Sequence, residues 1–235
     1  MRLLLFITCM FAFCTPAVMA TEPLLPLPYL VRAPLEKTDQ TPVLILLHGL
    51  GSNEQDLFSL ANQVPAHFLV IAARAPLQLG FNSFAWYQVD FSSGEPVYDR
   101  EQEASSRALL IQFIEQVKAN YQIKGKVYLG GFSQGAIMSY SIGLTRPDLV
   151  HGIALMSGRL LEEIKPQLAT HQSLQNLKVF IAHGTQDAVL NIQYARSSKA
   201  YLGSLGLQPT YREYPAPHTI TKEMVQDLVQ WINSH

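Results

Sequence analysis

Gly131-Phe132-Ser133-Gln134-Gly135 is the stretch that decides how this chain is read. A strand-like run, Lys126-Val127-Tyr128-Leu129-Gly130, leads into it. A helix-like run, Ala136-Ile137-Met138-Ser139-Tyr140-Ser141-Ile142, follows it. G-x-S-x-G in that setting signals a sharp strand-to-helix turn that lifts the serine out of the sheet. The turn crowds the backbone, so its flanking positions need residues without a Cβ. The helix then aims its first amides, and the positive end of its dipole, at charge developing on whatever the serine attacks. The pentapeptide alone is a common coincidence. The reading therefore depends on the rest of the chain supplying a base, an acid and a second amide.

Outward from the pentapeptide, strands and helices alternate. Pro42-Val43-Leu44-Ile45-Leu46-Leu47 and Phe68-Leu69-Val70-Ile71-Ala72-Ala73 are continuous apolar runs, as expected of strands buried on both faces. Lys126 to Leu129, Ile153 to Met156 and Val179 to Ala182 continue the series. Tyr29-Leu30-Val31-Arg32 and Thr210-Tyr211-Arg212-Glu213-Tyr214 read as edge strands, and Thr21 to Pro28 as an extended lead-in. Helices are expected over Glu54 to Asn62, after an Asp99 N-cap with Gln102 in capping-box position, over Ile192 to Leu205, and over Thr221 to Ile232. The helix after Asp99 carries Leu110, Phe113, Ile114, Val117 and Tyr121 at helical spacing. This alternation predicts an α/β architecture: a mostly parallel sheet with helices on both faces, and a ligand site at the carboxyl ends of the strands.

A serine hydroxyl is a poor nucleophile at neutral pH and needs a base. In the α/β-hydrolase arrangement the chain order is Ser, acid, His. After Ser133 come His151, His171, His183 and His218, then the terminal His235. His218 lies in the short loop Pro215-Ala216-Pro217-His218 between the last strand and the last helix, where a base would be presented. The others before it precede the best acid, and His183, beside Gly184 at a strand end, reads as structural. That acid is Asp187, which follows the run Val179 to Ala182 and a turn. Asp148, in Arg146-Pro147-Asp148, is its competitor and reads as an exposed turn residue. The acid's task is to hold the imidazole tautomer and stabilise the imidazolium. The oxyanion calls for two donors. The Gln134 N–H, directly after the serine, is one. The Leu50 N–H, in the glycine-rich turn Leu46-Leu47-His48-Gly49-Leu50-Gly51, is the other.

Three segments together resemble the phospholipase/carboxylesterase family, which includes acyl-protein thioesterases and small bacterial carboxylesterases. They are Leu47-His48-Gly49-Leu50-Gly51-Ser52-Asn53-Glu54-Gln55-Asp56-Leu57, Gly131-Phe132-Ser133-Gln134-Gly135-Ala136 and His183-Gly184-Thr185-Gln186-Asp187. Ser157-Gly158-Arg159-Leu160 and Tyr211-Arg212-Glu213-Tyr214-Pro215 are similar to its bacterial members. The resemblance implies an α/β-hydrolase fold without a large lid, Ser133, Asp187 and His218 as triad, and Leu50 and Gln134 as oxyanion amides. The chain departs from the family in lacking a proline within Ala188-Val189-Leu190-Asn191 and in carrying Ala216-Pro217 before the base.

Arg74 to Asp99 holds Phe81, Phe84, Trp86, Tyr87, Phe91 and Tyr98 without clear periodicity. A segment of that length with no secondary structure is expected to be functional. It is expected to wall the substrate site, with Phe84, Trp86 and Tyr87 as contacts. The alternative is that its aromatics fill gaps in the core.

The beginning of the chain reads as a secretory signal peptide. Met1-Arg2 is positive, Leu3 to Cys14 is almost unbroken apolar sequence, and Val18-Met19-Ala20 offers a cleavage site after Ala20. The apolar run is short for a spanning helix, which argues against an uncleaved anchor. Phe13 before Cys14 argues against a lipoprotein. One domain, 21–235, is expected to remain, with no stable membrane insertion and a periplasmic or secreted location. Both cysteines, Cys9 and Cys14, fall in the removed segment. The mature chain then has no thiol chemistry, and its stability must come from its core. The net charge of −1, with no basic run, leaves no footprint for nucleic acid.

These residues predict a serine carboxylesterase acting on small or soluble esters through an acyl-enzyme, with no metal and no cofactor. Lysophospholipase and acyl thioesterase are the enzymatic alternatives. A catalytically inactive binding protein on the same scaffold is the non-enzymatic one. The oligomeric state is left open.

Overall fold

The computed structural model describes residues 25–90, 92 and 97–235. Residues 1–20, expected from the sequence to be a signal peptide, and Phe91 lie outside the described residues. In chain order the elements are β1 (Tyr29–Arg32), β2 (Val43–Leu47), α1 (Glu54–Phe58), β3 (Leu69–Ala73), β4 (Leu77–Gly80), β5 (Ser83–Ala85), β6 (Val89–Asp90) and β7 (Val97–Tyr98). There follow α2 (Arg100–Asn120), β8 (Val127–Phe132), α3 (Gln134–Thr145), β9 (Gly152–Met156), α4 (His171–Leu174), β10 (Lys178–Gly184), α5 (Ile192–Ser204), β11 (Thr210–Tyr214) and α6 (Lys222–Ser234).

Seven strands form one sheet in the order β1-β3-β2-β8-β9-β10-β11. Every pairing in it is parallel except β1 with β3. The apolar runs are strands because both of their faces are covered. In β2, Val43, Ile45 and Leu47 face a core shared with Leu110 and Phe113 of α2, Ile142 of α3 and Leu202 of α5. Leu44 and Leu46 face a second core with Leu57 of α1 and with Met224, Leu228 and Trp231 of α6. Alternate residues of one strand thus feed the cores on opposite faces of the sheet. Helix α3 is buried from Gln134 to Leu144, which explains why its sequence shows no polar stripe. Leu25 and Leu27 of the lead-in also pack into the first core.

Three details differ from the sequence-based expectations. The helix over Glu54 to Asn62 is α-helical only to Phe58 and tightens into a 3-10 turn over Ser59–Gln63. Pro65 forces Val64 to extended backbone, at ψ 137, and shortens the space in which the helix can end. Asp99 does cap α2, accepting from the Glu101 and Gln102 amides. Gln102, however, does not close a capping box: its side-chain oxygen accepts from the Gln88 N–H at 2.8 Å instead. The segment from Arg74 to Asp99 is not structureless. It folds into two antiparallel ribbons, β4 with β5 and β6 with β7. Strands of two to four residues are too short to display alternation in sequence. Among the described residues no helix is long and apolar enough to cross a membrane.

Candidate active site

Strand β8 ends at Phe132, and Ser133 turns the chain into α3 with φ 54 and ψ −116. That conformation favours glycine, so a serine there is held by its surroundings. The Ser133 N–H donates to the Met156 carbonyl at 3.0 Å, which fixes the turn against β9. The two glycines are required by close approach. A Cβ on Gly131 would stand 2.3 Å from the Gly135 carbonyl carbon, and one on Gly135 would stand 2.0 Å from the Leu47 oxygen.

His218 reaches this turn from the loop after β11. Its Nε2 lies 3.0 Å from the Ser133 Oγ and its Nδ1 lies 2.6 Å from the Asp187 Oδ2. Its ring packs on that of Phe132, with centroids 4.8 Å apart. Asp187 sits just past β10 with its side chain fully buried. Its Oδ1 accepts from the Val189 and Leu190 amides at 2.9 and 2.8 Å, which turns Oδ2 toward His218. Asp148 is instead tied to Arg146 on the surface, so it takes no part here. With Nδ1–H donating to a carboxylate, Nε2 is the basic nitrogen and faces the serine hydroxyl. This constellation can deprotonate Ser133 as it attacks a carbonyl carbon.

The turn after β2 lies against the serine: a Cβ on Gly49 would be 3.4 Å from the Ser133 Cβ. Neither Leu50 nor Gln134 donates its N–H to an acceptor among the described residues. Ser133 makes no side-chain cap on α3, so its first amides remain open to a ligand. The donors an oxyanion needs are therefore available on both sides of Ser133.

Sequence reasoning missed the side chains that hold these donors in place. His48 is buried and bridges two backbone segments: its Nδ1 meets the Gly49 carbonyl at 2.7 Å and its Nε2 accepts from the Ala75 N–H at 3.0 Å. The Gln134 side chain accepts from the Trp86 N–H at 2.8 Å and donates to the Tyr87 carbonyl at 2.7 Å. His183, already read from the sequence as structural, donates to the Leu190 carbonyl at 2.7 Å beneath the acid loop, with its Nε2 3.3 Å from the Asp187 Oδ2. A polar residue beside each strand end was the available signal. Its partners lie too far away in sequence to be read from it.

The expectation for Trp86 and Tyr87 is corrected. Both are buried core residues, and the Trp86 Nε1 donates to the His48 carbonyl at 2.9 Å. They support the turn after β2 from behind rather than wall open space, because the short ribbons fold them inward. Phe84 is half-buried, and the Arg74 guanidinium lies 4.8 Å from its ring centroid. The open space beside the base is a groove of about 550 Å³, with Leu57, Phe132, Ile220 and Val225 as its apolar lining and Asp56 and Lys222 as charged lining.

Burial holds the His48 imidazole below its ordinary 6.5, in keeping with a neutral ring that both donates and accepts. The unfolded chain then binds the extra proton first as pH falls. The contribution of His48 to stability is complete above about 6.5 and is lost as pH drops toward the lowered native value. Urea unfolding of the wild type and of His48→Gln between pH 7.5 and 5.5 checks this. The variant is expected to lose less stability on acidification, by up to about 1.4 kcal/mol per pH unit. Parallel pH profiles would show that His48 is not held neutral.

Comparison with known proteins agrees with this geometry. The sequence pattern of the Phospholipase/Carboxylesterase family matches residues 31–235. The chain is 28% identical to acyl-protein thioesterase 1 of Mycosarcoma maydis, across 86% of this chain and 95% of that protein. It is also 28% identical to acyl-protein thioesterase 1 of Kluyveromyces lactis, across 81% and 90%. The Bacillus cereus carboxylesterase structure superposes with a TM-score of 0.75 at 24% identity, covering 88% of this chain and 94% of that one, which shows a common fold. The chain belongs to the phospholipase/carboxylesterase family, serine hydrolases of the α/β-hydrolase fold.

Proposed function

We propose that this protein hydrolyses small or soluble carboxylic esters through an acyl-enzyme on Ser133. The observation that carries the reading is the hydrogen-bond relay from Asp187 through His218 to Ser133, at 2.6 and 3.0 Å. The Ser133 Oγ bonds to the ester carbonyl carbon while the His218 Nε2 takes its proton. The carbonyl oxygen gathers negative charge facing the Leu50 and Gln134 amides. His218 then returns the proton to the leaving alcohol as the C–O bond breaks. Water repeats the sequence and frees the acid. Asp187 stays ionised and stabilises the imidazolium. No residue of this scheme needs a metal or cofactor.

A soluble ester is favoured because the groove beside His218 is open and carries both Asp56 and Lys222. Thioester hydrolysis is the second reading. The named acyl-protein thioesterases among the relatives support it, and the same relay serves a sulfur leaving group. The apolar N-terminal stretch Leu3 to Cys14 supports export to the periplasm or medium.

The test is hydrolysis of p-nitrophenyl esters of increasing acyl length, with acyl-CoA thioesters alongside and fluorophosphonate labelling of Ser133. Turnover of short oxygen esters with labelled Ser133 is expected. Turnover confined to thioesters would select the second reading. A folded protein that neither turns over nor labels would be a binding protein on this scaffold.

A further inference from the structure

Arg159 lies in the turn after β9, beside the site but outside the relay. Met156, three residues earlier, accepts the Ser133 N–H at 3.0 Å. Gly158 is pressed on the first turn of α3, where a Cβ would stand 2.6 Å from the Ala136 Cβ. Arg159 therefore leaves the backbone at the rim of the serine turn. Its guanidinium stacks on Tyr194, 5.3 Å from the ring centroid, and Tyr194 lies in the first turn of α5, just past the Asp187 loop. The Tyr87 hydroxyl is within reach of the Arg159 charge, and the Tyr87 carbonyl accepts from the Gln134 side chain at 2.7 Å.

The other described arginines all have oxygen partners. Arg74, Arg100, Arg107, Arg146, Arg196 and Arg212 face carboxylates, and Arg32 donates to two backbone carbonyls. Arg159 has no hydrogen bond or ion pair among the described residues, and its Nε–H is buried without an acceptor. Glu163 feels its charge, yet both Glu163 oxygens are committed. One accepts from the Tyr98 hydroxyl at 2.5 Å and the other meets Arg100 at 2.7 Å. A guanidinium left bare in a partly desolvated wall is unfavourable until an anion arrives. Its planar fork suits a carboxylate, and stacking on Tyr194 pre-orients it.

The reaction geometry says which half of the ester would lie there. The oxyanion faces the Leu50 and Gln134 amides. The leaving oxygen faces the His218 Nε2, which protonates it, so the alcohol part lies in the groove beside His218. The acyl substituent is then left to the side of Ser133 away from that groove. We propose that Arg159 forms an anion subsite for a carboxylate on the acyl part of the substrate, so that half-esters of dicarboxylic acids are preferred over neutral esters. This inference rests on the hydrolase reading above and narrows its substrate class.

Mono-4-nitrophenyl adipate and 4-nitrophenyl hexanoate test it, since they differ only in a terminal carboxylate in place of a methyl. The wild type is expected to favour the adipate half-ester in kcat/KM by ~10–100-fold, the range of a charge-assisted hydrogen bond. Arg159→Gln is expected to lose most of that ratio through KM, and Arg159→Lys to keep part of it. Calorimetric titration of adipate into Ser133→Ala, with and without Arg159→Gln, reads the subsite without turnover. Thermal unfolding confirms that each variant is folded. A wild type without preference, equal losses on both esters in Arg159→Gln, or adipate binding indifferent to Arg159 would each overturn the subsite. If neither ester is turned over while adipate binding still depends on Arg159, the hydrolase reading fails and the subsite stands.

Discussion

Ser133→Ala is expected to lower kcat on a soluble ester by a factor on the order of 10⁵–10⁶, with the protein still folded. His218→Ala is expected to cost about as much, and the double variant no more than either, because the two groups act as one unit. Asp187→Asn makes the sharpest case. The Asp187 Oδ1 is fixed by the Val189 and Leu190 amides. An asparagine would keep its carbonyl oxygen there and turn its NH₂ toward His218. The imidazole would then have to accept at Nδ1 and carry its proton on Nε2, where it cannot take one from serine. A loss of about 10⁴ is expected, the cost of the wrong tautomer. Steady-state kinetics on one p-nitrophenyl ester check all four variants. Additive losses, or an active Asp187→Asn, would mean that the relay is not the catalytic unit.

The same series has a stability signature. Ser133 occupies φ 54, a conformation that costs a non-glycine residue about 1–3 kcal/mol. Ser133→Ala removes the nucleophile and keeps the strain. Ser133→Gly removes both. The glycine variant is therefore expected to unfold at a higher temperature than the alanine variant, by about 1 kcal/mol after its own entropy cost. That ordering would tie the strain at the turn directly to the presentation of the hydroxyl.

Much of this site was legible before the structure. Ser133 and Asp187 each follow an apolar run, and a buried strand ends where its apolar run ends; His218 follows the mixed edge strand Thr210 to Tyr214. Chain order then separated His218 from His183, and strand-end position separated Asp187 from Asp148. The ribbons around Trp86 were not legible. Their strands are too short for a period of two, and an aromatic in a loop looks the same in sequence whether it faces a substrate or the core. Only the tertiary partners decide: the His48 carbonyl takes the Trp86 indole N–H, and the Gln134 side chain takes the Trp86 backbone N–H. Gln134 was expected to contribute its backbone amide alone. Its side chain also ties the serine turn to the segment carrying Tyr87, a contact 47 residues away in sequence that no local pattern encodes.

Gly135→Ala tests whether backbone packing, rather than the three side chains alone, sets the site. Gly135 has no positive φ, so the substitution brings no conformational penalty of its own. The obstacle is space: the new Cβ would meet the Leu47 oxygen at 2.0 Å and the His48 oxygen at 2.7 Å. Both are backbone atoms, so α3 must move away from the end of β2. That motion separates the Gln134 amide on α3 from the Leu50 amide on the turn after β2. A displacement near 1 Å at a reacting centre costs on the order of 10² in rate, and losing one oxyanion donor costs about 3 kcal/mol. The expected result is a kcat lower by ~10²–10³, with a stability loss at or above the upper end of the usual 1–3 kcal/mol for overpacking. Gly203→Ala in α5 is the control, since nothing lies within 4 Å of its Cβ position. Helix propensity predicts that it will be neutral or stabilising by up to about 1 kcal/mol. Activity and thermal unfolding of the pair decide the point. A Gly135→Ala protein with wild-type kcat would show that the two amides do not act together on the oxyanion. One with low kcat and nearly wild-type stability would place the loss in the alignment of the donors rather than in the fold.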